Sequence, residues 1–369
     1  MPNRRDFLRS VGATAGVAFV GCSLCDALAA RVPAQTAGAA ARKRAMLGKL
    51  RVKTIDVHCH VSIPEAADLL KGTKLERQGG APGGYNDVNL SADRVAAMDK
   101  MGIDVQAVSI NSFWYSADRD LAEKLVDLQN ERLGALCAAQ PDRFVAFASV
   151  ALQFPELAAK QLEDGMKKHG LRGVAIGPYC EGKELSDPEF DPFWAKVEEL
   201  QALVFVHPQD SANATGIRDR VKGSGVMGNV IGNPLETTMF LMHMIFQGTL
   251  DKFPNLKICA AHAGGFLATY PDRMDHGCRV FPAQCPITIK KRPSEYLKQM
   301  YFDSIIFTEE GLRHLVAEVG AGQVVLGTDY PFPWSVTPVE QVMALRGLSD
   351  ADRIAILGGT LSKLLKIPA

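Results

Sequence analysis

The chain has 369 residues, 47% of them hydrophobic and 22% charged, a composition that excludes an intrinsically disordered protein. Its 41 lysine and arginine residues balance 41 aspartate and glutamate residues, so neither nucleic acid nor an anionic membrane is expected as the main partner. The length allows two domains, but a single α/β barrel of ~250 residues or more fits it equally well.

The N-terminus carries three features of an export signal in the expected order. Paired arginines stand in NRRDFLRS, the short apolar run VGATAGVAFVG follows, and ALA at 27–29 fits a small-residue cleavage site. We therefore expect residues 1–29 to be a twin-arginine signal peptide that directs the folded protein to the periplasm. The apolar run is too short and too glycine-rich to span a membrane. Two alternatives to a cleaved signal peptide stay open. One is a lipid anchor at Cys22, which ends a degenerate lipobox, and the simplest is a disordered basic leader.

Residues 30–50 are expected to form a linker or an N-terminal surface helix before one domain that spans residues 51–369. In that domain short β-branched runs alternate with longer amphipathic stretches. The strand-like runs lie at 52–58, 104–110, 143–152, 173–178, 202–208, 256–264, 299–306 and 323–331. The helical candidates lie at 91–101, 118–140, 155–168, 189–201, 234–247, 309–318, 338–346 and 348–359.

Eight strands that alternate with helices predict a closed (β/α)8 TIM barrel. The strand-like runs are apolar nearly throughout, as is typical of parallel strands that are covered on both faces. The alternative is an open doubly wound sheet, but the glycine-rich phosphate loop that normally follows its first strand is missing from this sequence. Two long insertions, 62–90 and 209–232, are expected to cover the active site.

Histidines and one aspartate stand at the ends of the predicted strands. His58 and His60 end the first strand, His207 the fifth, His262 the sixth, and Asp329 the eighth. Barrel enzymes build their active sites at the C-terminal ends of the strands, so these side chains are expected to converge on one cavity. Imidazole and carboxylate ligands suit Zn²⁺, and Mn, Fe or Co remain possible. Such an ion lowers the pKa of a bound water toward ~7 and supplies hydroxide at neutral pH.

The cysteine between the first two histidines is expected to face the other way. Alternate strand residues share a face, so His58 and His60 point into the cavity while Cys59 points toward the helices. This geometry argues against Cys59 as a ligand or nucleophile.

The remaining four histidines are interpreted as structural or surface residues, because a lone histidine is more often structural than functional. They are His169 at a helix end, His243 and His314 inside helices, and His276 after a helix.

The segments IDVHCH, VFVHPQD, AAHAGG and LGTDYPF resemble the amidohydrolase superfamily, and more narrowly its branch around aminocarboxymuconate semialdehyde decarboxylase. The resemblance runs from about residue 52 to the C-terminus and includes ADRVAAMDKMGIDVQAVS. It implies one zinc ion held by His58, His60, His207 and Asp329. It also implies that His262 is the catalytic acid/base. In a hydrolytic reaction at the same site, His262 or Asp329 would carry the proton.

The same resemblance implies a homodimer and two residues that touch the substrate. Arg273 matches an arginine that holds a substrate carboxylate near the subunit interface, although a surface salt bridge explains it equally well. Phe332 is expected to line the pocket. Two departures concern the substrate: a second arginine of the family has only Arg77 as a positional counterpart, and Gln209 stands where the family has tryptophan.

These observations favour a metal-dependent enzyme that removes CO₂ from a small carboxylic acid without oxidation. The first alternative is hydrolysis of an amide, lactone or ester at the same site. The second is a periplasmic metal-binding protein without catalysis, which has no need of an acid/base beside its metal. Cys278 and Cys285 are the most plausible local disulfide in an exported protein.

Overall fold

The computed structural model describes residues 42–76, 90–209, 220, 226–285, 289–334 and 337–368. The expected signal peptide, the possible lipid anchor at Cys22 and Arg77 all lie outside these residues. So do residues 77–89 and most of residues 210–225, which belong to the two expected covers of the active site.

All eight predicted barrel strands are present, and most are shorter than predicted. In chain order β1 to β8 are Ile55–His60, Val105–Ser109, Phe144–Ala146, Gly173–Ile176, Leu203–Val206, Lys257–Ala260, Tyr301–Asp303 and Val324–Val325. The strands β1, β2 and β3 form one parallel ladder, and β4 to β8 form another in chain order.

Two parallel bridges join these ladders into a closed ring. Ala148, just beyond β3, pairs with Val174 of β4, and Cys59 of β1 pairs with Tyr330 beyond β8. A closed ring of eight parallel strands in chain order confirms the predicted (β/α)8 barrel and excludes the open sheet.

The helices follow the predicted pattern, with short additions. In chain order α1 to α13 are Ala66–Leu70, Ala92–Met101, Arg119–Ala139, Pro155–Lys168, Asp191–Leu200, Asn233–Phe246, Thr249–Lys252, Pro271–Val280, Pro293–Leu297, Glu309–Val319, Pro338–Ala344, Asp350–Ile354 and Thr360–Leu364. Ser349 caps α12, since its Oγ accepts a hydrogen bond from the Asp352 amide at 3.1 Å. None of the helices in the described part combines the length and apolarity that a bilayer crossing requires.

The core has two layers. Alternate strand residues and two C-terminal leucines fill the barrel interior: Ile55, Val57, Val105, Ala107, Phe147, Ala175, Leu203, Phe205, Cys259, Ala261, Val325, Leu361 and Leu365. A larger outer layer packs the strands against the helices. The polar cluster at the C-terminal ends of the strands therefore rests on a packed apolar floor.

A β-bulge in β1 changes which side chains face the interior. The pairing of β1 with β2 slips by one residue between Asp56 and Cys59. Ile55 and Val57 consequently pack inside the barrel, whereas Cys59 packs in the outer layer and donates its thiol proton to the Ala107 carbonyl at 3.4 Å. Bulges commonly re-aim side chains beside active sites. The structure thus turns Cys59 toward the helices, as predicted.

Residues just before the barrel form a hairpin that begins in the described part of the segment 30–50. Ala45–Leu47 pairs antiparallel with Leu50–Val52. Gly48, with a φ of 59°, permits the chain reversal between these two strands. The Arg51 guanidinium lies 2.8 Å from Asp104 at the start of β2 and ties the hairpin to the barrel.

The predicted disulfide joins Cys278 and Cys285, with 5.0 Å between the two Cα atoms. Three of the other described cysteines, Cys59, Cys180 and Cys259, are buried, and Cys137 is half-buried.

We expect Cys285→Ser to lower the free energy of unfolding by about 2–3 kcal/mol, because the bridge restricts the unfolded chain. Urea unfolding with and without a reductant measures the effect, and Cys137→Ser is the control. Equal stability of Cys285→Ser and the oxidised wild type contradicts this expectation.

Candidate metal centre

Four of the predicted side chains meet in one cluster. One ligand atom each from His58, His207, His262 and Asp329 lie within 4.8 Å of one another. These residues come from the C-terminal ends of β1, β5, β6 and β8, so the barrel brings together positions that are up to 271 residues apart in sequence. His60 adjoins the cluster, with its ring centre 4.7 Å from that of His207. We call these five residues the metal centre.

Asp303 fixes the orientation of His58. The Nδ1 atom of His58 lies 2.6 Å from Oδ2 of Asp303, and both side chains are fully buried. An ionised carboxylate only accepts hydrogen bonds, so Nδ1 carries a proton and Nε2 is the ring nitrogen left to bind a metal. A carboxylate behind a histidine is the usual arrangement for a histidine that binds a metal through its other nitrogen.

Asp329 lies between three of the imidazoles. Its Oδ1 atom is 2.8 Å from His60 Nε2 and 3.1 Å from His58 Nε2. Its Oδ2 atom is 3.7 Å from Nε2 of His262. Asp329 has a φ of 63°, a left-handed conformation that costs free energy in a residue other than glycine. The surrounding structure must hold this residue in place.

The buried charges shift the pKa values in opposite directions. Burial lowers the pKa of His58, but the carboxylates of Asp329 and Asp303 outweigh it and raise this pKa to about 10. Burial lowers the pKa of His60 and holds that of His207 well below its usual value. Burial also opposes ionisation of Asp329, yet the His58 charge and the imidazole hydrogen bonds hold its pKa well below the usual range. The buried carboxylates therefore favour positive charge at His58, while burial keeps His60 and His207 neutral, and such an environment suits a cation.

The residues fit a divalent metal ion. His58 Nε2 faces Asp329 Oδ1 at 3.1 Å. Three further ring nitrogens in the described part of the centre are buried without a hydrogen-bond partner: His60 Nδ1, His207 Nδ1 and His262 Nδ1. Each such atom costs about 1–3 kcal/mol if nothing satisfies it. Imidazole nitrogens with one carboxylate are a common donor set for Zn²⁺ and related first-row ions. A metal ion satisfies such a nitrogen by accepting its lone pair.

The segment that carries His262 is a tight turn. His262 and Ala263 have φ values of 54° and 55°, and the two glycines that follow also have positive φ. The amides of His262 and Ala263 both donate to the Asp303 carboxylate at 2.9 Å. Asp303 thus binds the ring of His58 and the backbone that presents His262.

Gly265→Ala is expected to destabilise the protein by roughly 2–5 kcal/mol, from left-handed strain and overpacking. Gly265 has a φ of 67°, and a Cβ atom there would lie 2.0 Å from the Pro234 carbonyl oxygen. The control is Gly277→Ala, where a Cβ meets nothing within 4 Å and a helix gains stability from alanine. Thermal and urea unfolding report both effects. An unchanged midpoint for Gly265→Ala disproves the close packing of this turn.

The two predicted substrate contacts differ in placement. Phe332 lies beside the metal centre, with its ring centre 5.6 Å from that of His60. Arg273 is exposed on α8, and its guanidinium lies 5.8 Å from the Tyr270 ring centre. Among the described residues Arg273 has this ring contact and no hydrogen bond or ion pair with the metal centre. His276, predicted to follow a helix, lies inside α8.

Asp303 supports both His58 and His262 but was not among the residues predicted from the sequence. The sequence placed it inside the strand-like run 299–306, whereas the structure ends β7 at this residue. The strand-end rule that found the five residues of the metal centre applies to this strand as well.

The chain resembles proteins of known activity over most of its length. The family model described as Amidohydrolase matches residues 55–367. The 2-amino-3-carboxymuconate-6-semialdehyde decarboxylase of Dictyostelium discoideum is 31% identical over 275 residues, which cover 74% of this chain and 75% of the relative. The gamma-resorcylate decarboxylase of Rhodococcus jostii is 26% identical over 327 residues, which cover 84% of this chain and 97% of the relative.

A solved structure extends the likeness to three dimensions. It is a 5-carboxyvanillate decarboxylase from Novosphingobium aromaticivorans, complexed with manganese and 4-hydroxy-3-methoxy-5-nitrobenzoic acid. It is 25% identical, matches with a TM-score of 0.76, and the match covers 86% of this chain and 96% of that chain. The family model and the relatives confirm the resemblance inferred from the strand-end motifs, and the chain belongs to the amidohydrolase family.

Proposed function

We propose that the protein is a metal-dependent decarboxylase that releases CO₂, without oxidation, from a small aromatic or enoic carboxylic acid. The observation that carries this proposal is the convergence of His58, His207, His262 and Asp329 at one end of the barrel. The relatives supply the reaction class, since the proteins compared above are decarboxylases of carboxylated aromatic or muconate compounds.

The proposed ligands are His58, His60, His207 and Asp329. The sequence resemblance favours Zn²⁺, whereas the solved relative binds manganese, so we propose a divalent ion of this group. When bound, the ion supplies Lewis acidity that polarises an oxygen of the substrate. The chain holds the donors rigidly, because His58 and His60 are at most 1% exposed and hydrogen-bonded to carboxylates.

His262 is the proposed proton carrier. Its side chain is 18% exposed, more than those of His58 and His60, so it can meet both substrate and solvent. In the proposed reaction its imidazolium gives a proton to the carbon that bears the carboxylate. The carbon–carbon bond then breaks, its electron pair returns to the remaining molecule, and CO₂ leaves. The Asp329 carboxylate lies 3.7 Å from His262 Nε2 and helps to orient this ring.

We further propose that the protein is a homodimer in which Arg273 of one subunit binds the substrate carboxylate in the other. Exposed apolar side chains support an interface: Val226, Met227, Val230, Ile231, Met242, Phe266 and Tyr270 are each at least 40% exposed. Arginine suits a carboxylate because its guanidinium forms two parallel hydrogen bonds.

Mixing inactive variants tests this arrangement. His262→Asn and Arg273→Ala are each expected to be inactive alone, and refolding them together restores about one quarter of the wild-type activity if sites are shared across the dimer. No recovery in a mixture that native mass spectrometry shows to contain heterodimers rules out the shared site.

We also propose periplasmic export by the twin-arginine route. The Cys278–Cys285 disulfide supports it, because disulfides persist in oxidising compartments. N-terminal sequencing of the periplasmic protein is expected to begin after residue 29. Full-length protein confined to the cytoplasm contradicts this proposal.

A substrate panel tests the reaction class. The metal-loaded protein is offered aromatic hydroxy acids and muconate-type acids, with released CO₂ measured, and a matched series of amides, lactones and esters. We expect CO₂ release from at least one acid and no hydrolysis. Hydrolysis without CO₂ release supports the alternative of a hydrolase for an amide, lactone or ester. If the metal-loaded protein shows neither activity, the result supports a non-catalytic metal-binding protein.

A further inference from the structure

A fully buried arginine contacts the backbone of the metal centre. Arg94, in α2, is 0% exposed. Its Nη1 donates to the His60 carbonyl at 2.6 Å and its Nε donates to Oε1 of Gln106 at 2.8 Å. Its guanidinium also lies 4.8 Å from the ring centre of Tyr330. Burying a guanidinium is costly unless several such contacts compensate, so this placement has a specific reason.

The contacts continue from Arg94 to a buried aspartate. Nε2 of Gln106 donates to Oδ2 of Asp56 at 2.9 Å. Oδ1 of Asp56 accepts from the His58 amide and from the Thr328 amide, each at 3.1 Å. The Thr328 hydroxyl donates to Oδ2 at 2.6 Å. Gln106 therefore joins a buried cation to a buried anion, and each of them contacts the chain beside a proposed ligand.

Two backbone segments meet at these contacts. One is the end of β1, which carries His58 and His60, and the other is residues 328–330, which carry Asp329. The Asp329 amide donates to the His58 carbonyl at 2.8 Å, and the His60 amide donates to the Tyr330 carbonyl at 2.7 Å. Asp329 has a φ of 63°, so its geometry depends on what holds its neighbours.

We propose that Arg94, Gln106 and Asp56 act together as positioning residues that fix the spacing of His58, His60 and Asp329 for metal binding. This inference rests on the proposed metal-dependent function. Arg94 holds the His60 carbonyl and the Tyr330 ring, while Asp56 holds the His58 and Thr328 amides. The fork of the guanidinium is essential, because it serves two acceptors and an aromatic face together. A lysine ammonium lacks that planar geometry.

Arg94→Lys tests the proposal, with the Mn²⁺ dissociation constant as the readout. Metal-free protein is titrated with Mn²⁺ and the free ion is followed by electron paramagnetic resonance. Loss of groups that orient metal ligands weakens binding by about 10–100-fold, and we expect a change of that size. The line shape of bound Mn²⁺ is also expected to change, because the ligand geometry relaxes.

Arg143→Lys is the matched control. Arg143 also donates to backbone carbonyls, those of Asp104 at 3.0 Å and Ile103 at 3.2 Å. These carbonyls lie before β2, at the opposite end of the barrel from the metal centre. We expect this variant to lose stability and to keep the wild-type dissociation constant and line shape.

The outcomes separate positioning from general stability. If Arg94→Lys unfolds at a lower urea concentration but binds Mn²⁺ with the wild-type affinity, Arg94 is only structural and the proposal is overturned. If Arg94→Lys does not fold, Gln106→Met removes the link between cation and anion with little change in volume, and wild-type affinity there overturns the proposal equally. A wild type that binds no divalent ion contradicts the proposed function itself.

Discussion

His262→Asn is expected to lower kcat by about 10²–10⁴-fold, the usual contribution of a positioned proton carrier, while the metal stays bound. The expectation follows from the exposure of His262, which is 18%, and from its separation of 3.7 Å from the Asp329 carboxylate. Asparagine keeps a polar side chain of moderate size and removes the titrating nitrogen. Steady-state CO₂ release gives kcat, and elemental analysis of the same sample gives the metal content.

His207→Ala is the comparison that distinguishes the loss of a metal ligand from the loss of a proton carrier. A ligand atom of His262 lies within 4.8 Å of those of His58, His207 and Asp329, so the geometry alone permits His262 to be a ligand. We expect His207→Ala to lose both metal and turnover. If His262→Asn loses metal to the same extent, His262 is a ligand and the acid/base assignment is wrong.

Asp303→Asn is expected to weaken metal binding by about 10–100-fold and to lower the unfolding temperature. Oδ2 of Asp303 faces the His58 ring and the His262 amide, and Oδ1 faces the amides of Ala263 and Ile305. Asparagine replaces one acceptor with an NH₂ group, which then opposes two donors. The loss of charge also makes Nε2 of His58 a weaker donor to a metal.

Asp251→Asn controls for the general effect of removing a carboxylate. Asp251 accepts hydrogen bonds from the Tyr296 hydroxyl and the Lys290 amide, away from the metal centre. Its amide variant is expected to lose some stability and no metal affinity. Calorimetric titration with Zn²⁺ or Mn²⁺ compares the metal affinity of the two variants. If Asp303→Asn binds the metal as tightly as the wild type, Asp303 does not orient the ligands.

The barrel was predictable because its strands are short, apolar runs separated by amphipathic helices, and each pattern has a local cause. The metal centre was predictable for a different reason. In a parallel barrel all strands end at the same face, so His58, His207 and Asp329 must converge whatever the distance between them in sequence. Alternation over residues 58–60 also placed Cys59 correctly, although the bulge in β1 breaks the alternation over the whole strand.

The features that were missed depend on long-range contacts. The hairpin over residues 45–52 has no strong local signal and is held against the barrel by the Arg51–Asp104 ion pair. Helix α8 buries only its first residue, Pro271, so it lacks the buried apolar stripe of longer helices such as α3 and α4. In the sequence Arg94 is indistinguishable from an ordinary polar residue of an amphipathic helix. Only the folded chain shows that it is buried against His60.

Metal reconstitution tests the central claim most directly. The protein is stripped with a chelator, and Mn²⁺ or Zn²⁺ is returned in fractions of an equivalent while CO₂ release from the best substrate of the panel is followed. We expect no turnover without metal and a linear recovery that ends at one equivalent per chain, matching one site built by His58, His60, His207 and Asp329. Full turnover in the stripped protein contradicts the metal-dependent mechanism.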